Sequence, residues 1–212
     1  MTSENKIFYR RRLPHYQPPG ATFHITFRLA GSLPQSVLAE FMEEQTRLEH
    51  EAVLPANESQ MKVLQHEAKE GYFIRFDETL NKAEHGPKWL QEQDVAAIVA
   101  DAIHSRDNKE CELIAFSIMP NHVHLITTVK QINTSLNRFL QSLKAYTGRE
   151  CNGILGRSGA FWQHESYDHV IRDGIELEQT IWYVLENPAT AGLCKNWRDW
   201  KWTYIKEGLI DW

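Results

Sequence analysis

The chain has 212 residues, 42% hydrophobic and 11% aromatic, enough to pack one domain with additions. A formal net charge of −5 argues against a bulk, non-specific coat for DNA, which works by releasing many counterions. No apolar run approaches the roughly 20 residues that cross a bilayer, the start Met1-Thr2-Ser3-Glu4-Asn5 is no leader, and three scattered cysteines (Cys111, Cys151, Cys194) suit a reducing, cytoplasmic setting.

Along the chain, Arg10, Arg11 and Arg12 form a basic knot. Residues 22–29 alternate Phe23, Ile25, Phe27 and Leu29 with Thr22, His24, Thr26 and Arg28, the period of a strand. After Pro34, residues 35–50 place Val37, Leu38, Phe41, Met42 and Leu48 at helical spacing. A short helix around 60–69 and a break at His85-Gly86-Pro87 follow. Acidic residues concentrate over 40–94, so residues 35–90 read as a helical acidic insertion in a single domain spanning 1–212. A helix over 92–105 presents Val95, Ile98, Val99 and Ile103. Cys111 to Met119 is an apolar strand, Pro120-Asn121 a tight turn, and His122 to Val129 a second strand. Asn133 or Thr134 can cap a helix to about 149 with a Leu136, Phe139, Leu140 and Leu143 stripe. Gly153, Gly156 and Gly159 precede a short strand at 161–164. Asp173-Gly174-Ile175-Glu176 is a capping box that opens a helix to about 186, where Asn187-Pro188 should stop it. The tail from about 194 to 212 is rich in tryptophan, with spacing that suits wrapping onto the domain. Strands and helices interleaved around a hairpin give an α+β fold with a mostly antiparallel sheet.

Two features carry chemistry. His122 and His124 sit two apart on one strand, so both imidazoles share a face, while Val123 and Leu125 point to the other. Such a pair can converge on one cation, and it can equally be two hydrogen-bonded histidines beside a hairpin. On the helix beginning at 174, Leu177, Ile181, Val184 and Leu185 cluster, and Tyr183 falls nearly opposite the middle of that stripe. A tyrosine there is exposed or faces a site. Asn187, four residues on, shares its face and offers an amide oxygen to a metal. A phenol ionises near pH 10 and attacks a phosphodiester poorly without a divalent cation to withdraw charge from the phosphate. In combination these residues would suit a tyrosine nucleophile beside a metal, while Tyr183 taken alone can equally be an ordinary exposed tyrosine. Tyr146, Tyr167, His164 and His169 are rivals with ordinary packing or surface alternatives. Arg138, Lys144, Arg149 and Arg157 are either a DNA-facing patch or a solvated helix face.

At these residues the sequence resembles a known family. Met119-Pro120-Asn121-His122-Val123-His124-Leu125-Ile126 resembles the His-hydrophobic-His metal motif of the single-tyrosine, IS200-like transposases. Tyr167 to Asp173, Tyr183 to Leu193, Phe73 to Leu90, Tyr9 to Arg12 and Trp197 to Tyr204 resemble the branch associated with repetitive extragenic palindromes (REP), so the likeness covers nearly the whole chain. It implies a ferredoxin-like antiparallel sheet with helices packed on it and a Mg²⁺ or Mn²⁺ ion. Its implied activity is cleavage and rejoining of single-stranded DNA through a 5′-phosphotyrosine. The metal ligands map onto His122, His124 and Asn187, a position that carries glutamine in related insertion-sequence enzymes, and the nucleophile maps onto Tyr183. The implied partners are REP-like palindromic hairpins with a flanking tetranucleotide, bound by a monomer. Arg10, Arg11, Arg12, His24, Arg28, Arg138 and Lys144 are the candidate DNA contacts. A relaxase or replication-initiator nickase and a non-cleaving hairpin-binding protein are the alternatives.

Overall fold

The computed structural model describes residues 8–10, 14–16, 18, 20–51, 71, 73–130 and 135–209. Arg11, Arg12, the expected helix at 60–69, the expected caps Asn133 and Thr134, and Trp212 lie outside these residues. The chain divides into two compact units, Met1–Ala30 with Lys88–Trp212, and Gly31–Pro87.

The larger unit contains a five-stranded sheet and a small two-stranded one. β1 (Phe8–Arg10) pairs antiparallel with β2 (Pro14–Tyr16). The main sheet is built from β3 (Thr22–Arg28), β4 (Cys111–Ile118), β5 (His122–Val129), β6 (Tyr167–Ile171) and β7 (Thr203–Ile205). Their order is β6-β3-β5-β4-β7, and every neighbouring pair is antiparallel. Leaving out β7, the chain runs strand, helix, strand, strand, helix, strand. Each crossover joins two parallel strands that have a third between them. This is the split βαβ arrangement of a ferredoxin-like fold, as the family resemblance implied.

Alternation along the strands sorts side chains between two faces. One face carries Phe23, Ile25, Phe27, Phe116, Val123 and Leu125. It is covered by the helix Gln93–His104 and by Leu136–Ile154, whose Leu136, Phe139, Leu140 and Leu143 all enter that core. Each fully buried Leu, Ile or Phe there contributes roughly 1.5–3 kcal/mol. The other face carries Ile114, Ala115, Ile126 and Ile171, and the helix Gly174–Thr190 packs Ile181, Val184 and Leu185 against them. Register shifts between Leu113 and Ala115, a bulge that lets the adjacent Ile114 and Ala115 both join this second core.

Numbering helices in chain order, α1 (Gln35–Glu51) belongs to the smaller unit, and α2 (Gln93–His104), α3 (Leu136–Ile154) and α4 (Gly174–Thr190) to the larger. The smaller unit also has a helical stretch over 73–82, with Phe76 edge-on to Phe41 and Leu80 fully buried. Among the described residues no helix is long and apolar enough to cross a membrane.

Several boundaries differ from the sequence expectation. Ser135 caps α3 by accepting from the Arg138 amide at 3.4 Å, and the helix continues through Gly148 and Gly153 to Ile154. Residues 161–164 form no strand; Trp162 makes a single bridge to Leu29, and the edge strand is β6. α4 runs through Pro188 to Thr190. Proline forfeits only its own amide bond, and the end is closed by Ala191 and Leu193 amides donating to the Asn187 and Pro188 carbonyls before Gly192 at φ +72°. The tail wraps onto the domain: Trp197 is buried in the second core, and the Trp200 indole donates to the Ile118 carbonyl at 3.0 Å.

Candidate metal and nucleophile site

β5 is the central strand, bonded on both sides, and it presents His122 and His124 on the α4 face. Both histidines are fully buried. Their Nε2 atoms are 3.0 Å apart. Two nitrogens bound at ~2.1 Å to one cation and about 90° apart would be separated by ~3 Å. The donor pair therefore fits a divalent ion. His122 turns its other nitrogen, Nδ1, toward the Asn121 side-chain oxygen at 2.7 Å. A proton on Nδ1 given to that oxygen leaves the Nε2 lone pair facing His124.

β3 lies directly beside β5, with Thr26 opposite His124 and Arg28 opposite His122. The Thr26 hydroxyl is 3.1 Å from His124 Nδ1, and His24 Nε2 is 3.2 Å from the same atom. The rings of His24 and His124 stack with centroids 5.5 Å apart. On the other side of this group stands α4. The ring of Tyr183 is edge-on to His124 at 5.7 Å and to His24 at 5.9 Å, measured between centroids. The chain thus brings the phenol of residue 183 and the imidazoles of residues 122 and 124 to one place. Asn187 follows one turn later and is 3% exposed.

The stretch of residues 87–187, which holds the histidine pair, the tyrosine and Asn187, matches the family model described as "Transposase IS200 like". Over residues 87–187, just under half of the chain, the sequence is similar to the IS200-like transposase family. A curated relative from Haemophilus influenzae, provisionally named a REP-associated tyrosine transposase, is 28% identical over 98 residues. That alignment covers 42% of this chain and 56% of the relative, so the chain spans little more than half the length of the curated protein it matches. A solved REP-associated tyrosine transposase bound to a REP hairpin aligns over 92% of this chain and 80% of its own, with 16% identity and a TM-score of 0.49. A provisionally named transposase from Deinococcus radiodurans R1 aligns over 76% of this chain and 87% of its own, with 12% identity and a TM-score of 0.34.

Within the IS200-like segment, α4 is anchored at its start. Asp173 accepts from the Glu176 amide at 2.9 Å. Glu176 in turn accepts from the Arg172 amide at 2.6 Å and guanidinium at 3.1 Å, and bonds His169 Nε2 at 2.7 Å. Burial pushes the Glu176 carboxyl up, but Arg172 and His169 outweigh it and hold the group down at about 2. Of the rivals, His169 is part of this network through Glu176. Tyr146 is 43% exposed on α3, flanked by the guanidinium groups of Arg106 and Arg149, each 5.7 Å from its ring centre. Tyr167 pairs in register with Thr26, and His164 is exposed.

The proposed DNA contacts divide by position. Arg138 is exposed at the start of α3, while the backbone of Arg10 lies in β1. Arg28 and His24 are buried, facing the histidine pair across β3. Lys144 is tied down: its Nζ donates to the Gln163 and His164 carbonyls and to Ser166 Oγ at 3.0, 3.2 and 2.6 Å. Burial first, then the charge of Arg28, draws its amine down to about 7. Sequence reasoning missed the partners that fix the imidazoles. Asn121 read as a turn residue and Thr26 as part of a strand, and His24 drew notice only as a DNA contact.

Proposed function

We propose that the chain cleaves and rejoins single-stranded DNA, with Tyr183 as nucleophile and His122, His124 and Asn187 holding a Mg²⁺ or Mn²⁺ ion. The observation that carries this reading is the approach of the Tyr183 ring to His124, whose Nε2 lies 3.0 Å from that of His122. A divalent cation held there supplies Lewis-acid polarisation of a non-bridging phosphate oxygen. Tyr183 supplies the phenolic oxygen: it gives up its proton and bonds to phosphorus, the 3′-oxygen departs and takes up a proton, and a 5′-phosphotyrosine remains. Because that ester keeps the energy of the broken bond, the same 3′-hydroxyl or another can reverse the attack and rejoin strands. α4 holds the ring, and Glu176 with Asp173 fixes the helix that carries it. We propose REP-like hairpins with a flanking tetranucleotide as the substrates and a monomer as the acting form; the name of the curated relative, a REP-associated tyrosine transposase, supports the REP association alone.

The test is incubation of the full chain with an end-labelled hairpin oligonucleotide and Mn²⁺, followed by denaturing electrophoresis. The expected result is a covalent adduct that survives denaturation. Tyr183→Phe should abolish it while oligonucleotide binding stays within a few-fold, and Tyr146→Phe should leave it intact. Binding without an adduct would replace this proposal with a non-cleaving hairpin-binding protein.

A further inference from the structure

We infer that His24 and Thr26, on β3, are positioning residues for the metal site: they set which nitrogen of His124 is available and support the ring of Tyr183. The inference rests on the assignment of His122 and His124 as metal ligands. Both β3 residues lie outside residues 87–187, the stretch matched to the transposase family.

A neutral histidine has one lone pair, and to offer it at Nε2 the ring must carry its proton on Nδ1. His124 is fully buried, so protein groups must receive that proton's hydrogen bond. His122 has its receptor in the adjacent turn residue, Asn121. The Nδ1 of His124 faces Thr26 Oγ1 and His24 Nε2, both from a strand about a hundred residues away in sequence. Thr26 is directly opposite in register, and His24 is its diagonal neighbour two positions along on the same face. A hydroxyl and a second imidazole can each accept or donate. His124 can therefore carry its proton toward His122 when the two Nε2 atoms share one, and toward β3 when Nε2 is needed as a ligand. Receptors of this kind orient a ligating ring and raise its basicity, and their loss typically weakens metal binding ~10- to 100-fold.

His24 has a second contact that Thr26 lacks. Its ring stacks on His124 and meets Tyr183 edge-on, so one side chain touches both the metal-ligating ring and the nucleophile-bearing ring. Thr26 serves only the first.

The experiment uses the full chain and two measurements: Mn²⁺ affinity by calorimetry without DNA, and the rate of adduct formation at saturating Mn²⁺. His24→Phe keeps a ring and removes both nitrogens; His24→Gln returns an amide where Nε2 stood. His24→Phe is expected to weaken Mn²⁺ binding ~10-fold or more and to slow adduct formation, and His24→Gln to recover most of the metal affinity. Thr26→Val should weaken Mn²⁺ binding less, since His24 remains. Should His24→Phe not fold, long-range ¹⁵N–¹H spectra of the wild-type chain with Mg²⁺ bound decide the matter: His124 should carry its proton on Nδ1. Wild-type Mn²⁺ affinity in a folded His24→Phe chain, or a bare Nδ1 in that spectrum, overturns the inference. If His124→Ala loses Mn²⁺ while His24→Phe keeps it, the metal assignment stands and only the β3 role falls. If His122→Ala and His124→Ala both bind Mn²⁺ like wild type, the metal assignment fails and takes this inference with it.

Discussion

Replacing Glu176 by glutamine probes how the helix that carries Tyr183 is held at its start. The carboxylate receives the Arg172 amide and guanidinium and the His169 ring, and its side chain is 16% exposed. Burial alone would raise its proton affinity, yet these partners lower it from 4.5 to about 2. At ~1.4 kcal/mol for each tenfold change, the charged form is favoured in the folded state by about 3 kcal/mol as an upper bound. The Arg172 side chain is 58% exposed, so solvent screens part of this. A loss of ~1–2 kcal/mol is the expected cost of Glu176→Gln at neutral pH. The sign of the pH dependence follows from the direction of the change. A carboxylate lowered on folding stabilises fully above its unfolded value, and the benefit drains away as pH falls from 4.5 toward 2. Urea unfolding of both proteins at a series of pH values should therefore show a gap at pH 7 that closes on acidification. A gap below ~0.3 kcal/mol at pH 7, or one that stays constant down to the lowest pH, would refute the reasoning.

Two further substitutions test packing beside α3. Gly148→Ala should stabilise the chain by ~0.5–1 kcal/mol in thermal unfolding, because alanine favours the helix interior. Its new methyl would meet Phe161 Cβ at 3.4 Å and Trp162 Cδ1 at 3.7 Å, which are ordinary contacts. Thr147→Val should destabilise by ~1–3 kcal/mol in the same assay, because it removes the acceptor of a buried indole N–H. Trp162 Nε1 now donates to Thr147 Oγ1 at 2.8 Å.

The parts of the site that were legible in the sequence are those governed by short periods. Alternation from Cys111 to Val129 around Pro120-Asn121 defines the hairpin, and it also puts His122 and His124 on one face. Helical rotation predicts Tyr183 nearly opposite the Ile181, Val184 and Leu185 stripe, whereas in the structure it packs against that same cluster with its ring edge-on to His124. What local pattern could not carry is register between distant strands. Nothing near His24 or Thr26 says that residue 124 will stand opposite residue 26; the pairing of β3 with β5 decides it. β6 was hidden for a related reason. It is an edge strand whose Asp168 and His169 interrupt the apolar signal, while Phe161 and Trp162 nearby mimic one. Pro188 misled because a proline one turn from a helix end removes a single bond, which the glycine-terminated C-cap absorbs.

The position of β5 in the middle of the sheet has a consequence for how the site comes apart. Its backbone amides are locked between β3 and β4, so their exchange with deuterium should require opening of the whole sheet. α4 rests on one face through a smaller cluster, so it should open at a lower denaturant concentration than the sheet despite its anchored start. Denaturant added gradually would then release the tyrosine while the imidazoles are still in place. The site has a durable half and a detachable half.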